Sequence, residues 1–205
     1  MTPVTPDLDR RLILASKSRA RAAVLRSAGL DFVQIVANVD EETIRDSMRS
    51  EGASVTQQVD LLAETKAMKV SQAHRGVALG ADQMLDLDGE AFDKPRTLDE
   101  ARDHLRRLRG RTHVLQTSIV ACVEGSAVWR HLAQPRLRMR NFTDAFLDGY
   151  LADSGETLLG SVGAYQIEGR GAQLFDRIDG DYFSILGLPL LPLLGWLRDR
   201  GTLAQ

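Results

Sequence analysis

Apolar residues along this chain fall into short runs and periodic stripes, and their spacing predicts the order of the elements. The run Leu12-Ile13-Leu14-Ala15 is strand-length and ends in a turn of Ser16, Lys17 and Ser18. Ser18 suits the N-cap of a helix over Arg19–Ser27 that stops at Gly29. Residues 32–36 read as a second, buried strand, and the polar, acidic residues 38–53 as loop with a helical turn. From Thr56 to His74 the apolar positions Val59, Leu62, Ala63, Ala67 and Val70 recur at helical spacing, with Thr56 as N-cap and Gly76 as stop. Residues 77–81 then predict a strand that delivers Asp82 at its end. Asp88-Gly89 marks a hairpin between residues 84–87 and 90–92.

The second half continues in the same mixed style. Leu98, Ala101, Leu105 and Leu108 predict an amphipathic helix over 98–109, with Asp99 and Glu100 in its first turn and Gly110 at its end. Residues 112–123 read as a long strand, and 127–140 supply one or two more. A helix over 143–152 is capped by Thr143. A glycine-rich stretch covers 160–172, a strand 173–178, and a closing helix 188–198. Strands and helices intermix without strict alternation. That pattern favours a mixed α/β fold on one dominant, partly antiparallel sheet over a doubly wound parallel one. We expect a single domain over 1–205, with residues 1–10 as a loose lead-in.

Composition narrows the function classes. The chain has 205 residues, 43% of them hydrophobic and 26% charged, with a formal net charge of −2. This is an ordinary globular balance, and it argues against a nucleic-acid-binding stripe. The polar start lacks an apolar signal core, and the apolar C-terminal stretch is broken by Pro189 and Pro192. Neither predicts a membrane segment, so a cytoplasmic location is expected. The single cysteine, Cys122, sits in an apolar run and reads as a buried strand residue. The four histidines (His74, His104, His113 and His131) are scattered without metal-ligand spacing, and no P-loop or dinucleotide fingerprint occurs.

Several local patterns point to phosphate chemistry. Ser16, Ser18, Arg19 and Arg21 surround a strand-to-helix turn, where free backbone N–H groups and guanidinium donors suit an anion. Asp82 after an apolar strand suits a general base or metal ligand. Lys94, held out of helical conformation by Pro95, can reach a phosphate as a point charge. The acidic run Asp40-Glu41-Glu42 suits a Mg²⁺ ion shared with phosphate oxygens. Lys66 lies on the long helix beside Ala63 and Ala67, with its ammonium expected at the packed surface's edge and Met68 offering no charge partner. Gln166 and Glu168 in the glycine-rich stretch bring groups that can read a base edge. Each pattern alone also fits an ordinary structural role: a capped surface helix, a turn aspartate, a solvated lysine, a charged face.

Their order along the chain is informative. The stretches LILASKSRARAAVLRSAGLDF, VDEE, AETKA, LGADQ, DKPRTLDEARDHLRRLRGRTH, GAYQIEGRGAQLFDRIDGDY and LGLPL together resemble the Maf family of nucleoside triphosphate pyrophosphatases, from Leu12 to Arg198. The resemblance implies an elongated mixed sheet with two lobes around a deep cleft. It implies hydrolysis of a nucleoside triphosphate to the monophosphate and diphosphate with a divalent cation (Mg²⁺, Mn²⁺ or Co²⁺), and a homodimer. By position, Asp82 matches the family's proton acceptor, Ser16, Arg21, Lys66 and Lys94 its phosphate-handling residues, and Glu41 with Asp82 its metal-side carboxylates. Gln83 and Glu168 are similar to the branch acting on 7-methyl-GTP and differ from the branch acting on dTTP and UTP. Ala20 stands where the former carries a tryptophan. A competing class is a nucleotide-sensing regulator of septum formation without turnover.

Overall fold

Three strands begin the sheet: β1 (Leu12–Leu14), β2 (Phe32–Gln34) and β3 (Val77–Leu87). β1 pairs in parallel with both neighbours, Leu12 lying opposite Phe32 on one side and Val77 on the other. Parallel neighbours require crossovers, here α1 (Arg19–Ser27) and then α2 (Glu41–Ser50) with α3 (Val55–Ala73). Crossover helices cover both faces, which is why β1 is buried at every position. The computed structural model describes residues 11–204, so the expected lead-in lies outside the described residues.

The chain continues through β4 (Glu90–Phe92), α4 (Leu98–Leu108), β5 (Thr112–Val123), β6 (Ser126–Ala133), β7 (Arg136–Met139) and α5 (Asp144–Ser154). Short 3₁₀ segments follow at Gly155–Gly160, Val162–Ala164 and Arg170–Leu174, then β8 (Phe175–Asp179), α6 (Tyr182–Ile185) and α7 (Leu190–Asp199). The eight strands form one mixed sheet in the order β2-β1-β3-β5-β7-β8, with β4 on β3 and β6 on β5. The expected mixed α/β class is what the chain adopts. Two compact units divide it: residues up to Asp82, Thr117–Ala133 and from Asp181 onward in one, and Gln83–Gln116 with Gln134–Gly180 in the other.

In the first unit, Leu12, Leu14, Leu79 and Ile119 pack with Ala22 and Leu25 of α1 and with Leu193 and Leu197 of α7. The opposite strand face carries Ile13, Ala15 and Ala78, packed with Val70 of α3. Gly80 lies on this same face by strand alternation. A Cβ there would come within 2.1 Å of the Ala63 carbonyl oxygen and 2.6 Å of the Ala67 nitrogen. The bare glycine therefore lets α3 lie directly on β3, and this close approach positions the functional residues.

In the second unit, α4 buries Ala101, Leu105 and Leu108, and Phe142, Leu147 and Tyr150 are also buried. His113 Nε2 lies 2.7 Å from the Tyr165 hydroxyl. Burial lowers the His113 imidazole to about 4 and raises the Tyr165 phenol. The predicted β3–β4 hairpin is present, with Asp88 at φ 55° and Gly89 at φ 90°. Both central residues then have the positive φ of a tight two-residue hairpin turn.

Four elements differ from the pattern-based expectation, and the first is β2, which ends at Gln34 and is half-buried to exposed because it lies at the edge of the sheet. Residues expected as loop form α2, because Asp40 caps it by accepting from the Thr43 backbone N–H at 3.1 Å and hydroxyl at 2.9 Å. None of its residues is fully buried, and its apolar side is only Ile44 and Met48, both half-buried, too short a stripe to announce it. The cap of α3 is Ser54, in a reciprocal capping box with Gln57. And β3 does not stop before Asp82 but runs on to Leu87. Gln83 and Asp86 are half-buried and interrupt the apolar run without ending the strand.

Candidate active site

The turn between β1 and α1 is built by hydroxyls. Ser18 accepts from the Arg21 backbone N–H at 3.3 Å, capping α1, and Ser16 Oγ accepts from the Ser18 N–H at 3.2 Å. The same Ser16 Oγ accepts from Arg21 Nη1 at 3.2 Å. Arg21 Nε donates to the Gly187 carbonyl at 2.8 Å. The half-buried guanidinium is thus held at two of its five N–H donors. Burial lowers the Arg21 pKa, opposed by the carboxylates of Asp82 and Glu41. Ala20, beside it on the helix, is exposed.

α2 and α3 deliver the charges. Lys66, midway along α3, is only 6% exposed, so its ammonium is buried where the sequence suggested an edge. It donates to Asp82 Oδ1 at 2.6 Å and lies 3.1 Å from Glu41 Oε2. Asp82, on the α3 face of β3, is itself buried. Glu41 is the first residue of α2, with Arg45 one turn on at 3.7 Å. Burial pushes the Glu41 carboxyl up, but Lys66, with Arg45 and Arg21, outweighs it and the net shift is down. Glu41 is therefore a carboxylate at neutral pH.

The structure brings Ser16, Arg21, Glu41, Lys66 and Asp82 together in the first unit. Gln83, Lys94 and Glu168 lie in the second. Gln83 is half-buried on β3, Lys94 is exposed before buried Pro95, and Glu168 is exposed ahead of the last 3₁₀ segment. Sequence reasoning missed two backbone contributions, the Gly187 carbonyl and the bare Gly80. Gly187 belongs to the LGLPL stretch, whose only sequence signal was its place in the ordered motifs. Gly80 stands in LGADQ two residues before the aspartate, a spacing that puts both on one strand face.

The arrangement suits a polyanion with a hard cation. Three cations, Arg21, Arg45 and Lys66, meet two carboxylates, Glu41 and Asp82, so the cluster carries one surplus positive charge, too little to neutralise a triphosphate. Among the described residues no group of three or more His, Cys, Asp or Glu could enclose a metal. Two carboxylates converging on one cationic group fit instead an ion that shares its coordination with phosphate oxygens, as Mg²⁺ does.

The chain is similar to known proteins over most of its length. The family model described as "Maf-like protein" matches residues 11–200. A nucleoside triphosphate pyrophosphatase of Hyphomonas neptunium is 54% identical over 93% of this chain and 96% of its own length. Another, from Granulibacter bethesdensis, is 52% identical over 94% of this chain and 98% of its own. A 7-methyl-GTP pyrophosphatase of Brucella abortus is 43% identical over 92% and 95% respectively. Among the described residues no helix is long and apolar enough to cross a membrane.

Proposed function

The chain belongs to the Maf family, and from that premise we propose that it is a nucleoside triphosphate pyrophosphatase, converting a nucleoside triphosphate and water to the monophosphate and diphosphate. The observation that carries this reading is the buried Lys66 ammonium bridging Asp82 and Glu41, with Arg21 and Ser16 in the same unit. A water beside Asp82 gives up its proton to the carboxylate as its oxygen attacks the α-phosphorus. The bond from that phosphorus to the bridging oxygen breaks, and diphosphate leaves with the bond's electron pair. Lys66 holds the Asp82 carboxylate in place and adds positive charge where the transferring group gains negative charge. Arg21 and the Ser16 hydroxyl hold phosphate oxygens through directed N–H and O–H donors, and Lys94 is assigned to phosphate binding as a point charge.

A divalent cation (Mg²⁺, Mn²⁺ or Co²⁺), when bound, supplies charge neutralisation of the triphosphate, and Glu41 with Asp82 would hold it. For the base we propose an N7-methylated guanine, with Gln83 and Glu168 reading it. A carboxylate accepts from the guanine N1–H and N2–H₂ and favours a cationic base. Ala20 offers no ring to stack on that base, so selectivity rests on those polar groups. We further assign the enzyme to the cytoplasm, as a homodimer.

The test is a diphosphate-release screen over natural and N7-methylated nucleoside triphosphates with each metal, run in ¹⁸O-labelled water. We expect 7-methyl-GTP to be turned over fastest and the label to appear in the monophosphate. Preference for UTP or dTTP would overturn the base assignment alone. Label in the diphosphate would overturn attack at the α-phosphorus.

A further inference from the structure

Arg21 is aimed from outside its own helix. Its Nε donates to the carbonyl of Gly187 at 2.8 Å, a residue 166 positions away in sequence. Gly187 is buried and has φ 92°, the left-handed conformation that follows α6. Its N–H donates to the Ser184 carbonyl at 3.0 Å, and the next N–H, of Leu188, to the Phe183 carbonyl at 3.0 Å. Leu188 and Leu190 are anchored in the apolar cluster that also holds Leu12, Leu14 and Leu25. The carbonyl is thus fixed by core packing on one side and by a closed turn on the other.

We propose that the Gly187 carbonyl is a positioning group for phosphate binding, which locks the Arg21 guanidinium so that its remaining N–H donors face the phosphate chain. The proposal rests on the pyrophosphatase reading and deepens it. A free arginine side chain must lose rotamer freedom when it grips a ligand. Here Nε is tied to Gly187 and Nη1 to Ser16 before any ligand arrives, so the fork is already oriented. Only a residue tolerant of positive φ can turn its carbonyl this way. A side chain at 187 strains the turn and moves the acceptor.

The test is a double-mutant cycle in steady-state kinetics. Gly187→Ala is expected to raise KM for the triphosphate about tenfold while leaving kcat little changed. Arg21→Lys keeps a cation but has no Nε–H to tie, so in that background Gly187→Ala should change KM hardly at all. Gly201→Ala is the control, since Gly201 also has positive φ, 74°, but open space where a Cβ would go. Equal KM factors in both backgrounds would overturn the proposal, as would an equal effect of Gly201→Ala. Should Gly187→Ala fail to fold, the wild-type protein decides by NMR. The Arg21 Nε–H should exchange with water far more slowly than that of exposed Arg19, both alone and saturated with inorganic diphosphate. Exchange as fast as at Arg19 would overturn it. The two readings fail separately: no diphosphate release by the wild type from any nucleoside triphosphate sinks the function, whereas additive KM effects with wild-type turnover intact sink only the role of Gly187.

Discussion

Lys66 touches two carboxylates at once, Asp82 Oδ1 at 2.6 Å and Glu41 Oε2 at 3.1 Å, from a site that is 6% exposed. Removing it strands Asp82 and leaves Glu41 with Arg45 and Arg21 only. We predict that Lys66→Met loses on the order of 3–5 kcal/mol of folding stability, as expected when a buried pair loses one partner, together with nearly all turnover. Urea unfolding and diphosphate release on one preparation check both. A variant of wild-type stability would mean that Lys66 is not the centre of the charge cluster. Nothing near Lys66 in the sequence announces this role, because its partners come from α2 and β3. Position and residue type marked it as a candidate; only the fold supplies the carboxylates. Asp82 and Arg21 are easier to read, since one closes the apolar run of residues 77–81 and the other lies in the first turn of a helix.

At the scale of elements, the site depends on how closely α3 lies on β3. Gly80 has no room for a Cβ, which would sit 2.1 Å from the Ala63 carbonyl oxygen. Gly80→Ala must push the helix off the strand and draw Lys66 away from Asp82. We predict a loss of about 1–3 kcal/mol from overpacking and a much larger proportional loss of kcat. Parallel kinetics and denaturation measure the two, and an unchanged kcat would show that the close approach is not needed. Elements with an apolar stripe or a clear cap, such as α1, α4 and α5, could be read from the sequence. α2 could not, because its apolar side is only the half-buried pair Ile44 and Met48 and its Asp40 cap stands in a run of acidic residues that also suits a loop. The continuity of β3 through Asp82 was hidden for a related reason: half-buried Gln83 and Asp86 break the apolar run of a strand that hydrogen-bonding keeps whole.

For the whole molecule, pH is the lever that acts on folding apart from chemistry. His113 in the second unit is 1% exposed, and burial lowers its imidazole from 6.5 to about 4. The folded state keeps the ring neutral, so the unfolded chain binds the proton more readily. Stability from this group is therefore present above about pH 6.5 and lost as pH falls toward about 4, at most about 3 kcal/mol. Urea unfolding of the wild type between pH 7 and pH 4 should show that extra loss relative to His113→Gln. Equal losses in both proteins would contradict it. Activity should fall on different substitutions, those in the first unit where Asp82, Lys66, Glu41 and Arg21 meet. The most direct measurement is diphosphate release by Asp82→Asn at saturating nucleoside triphosphate and divalent metal, with nucleotide binding followed by calorimetry. We predict a fall in kcat of at least about a hundredfold, with the nucleotide still bound. Release at the wild-type rate would contradict Asp82 as the base and, with it, the pyrophosphatase mechanism.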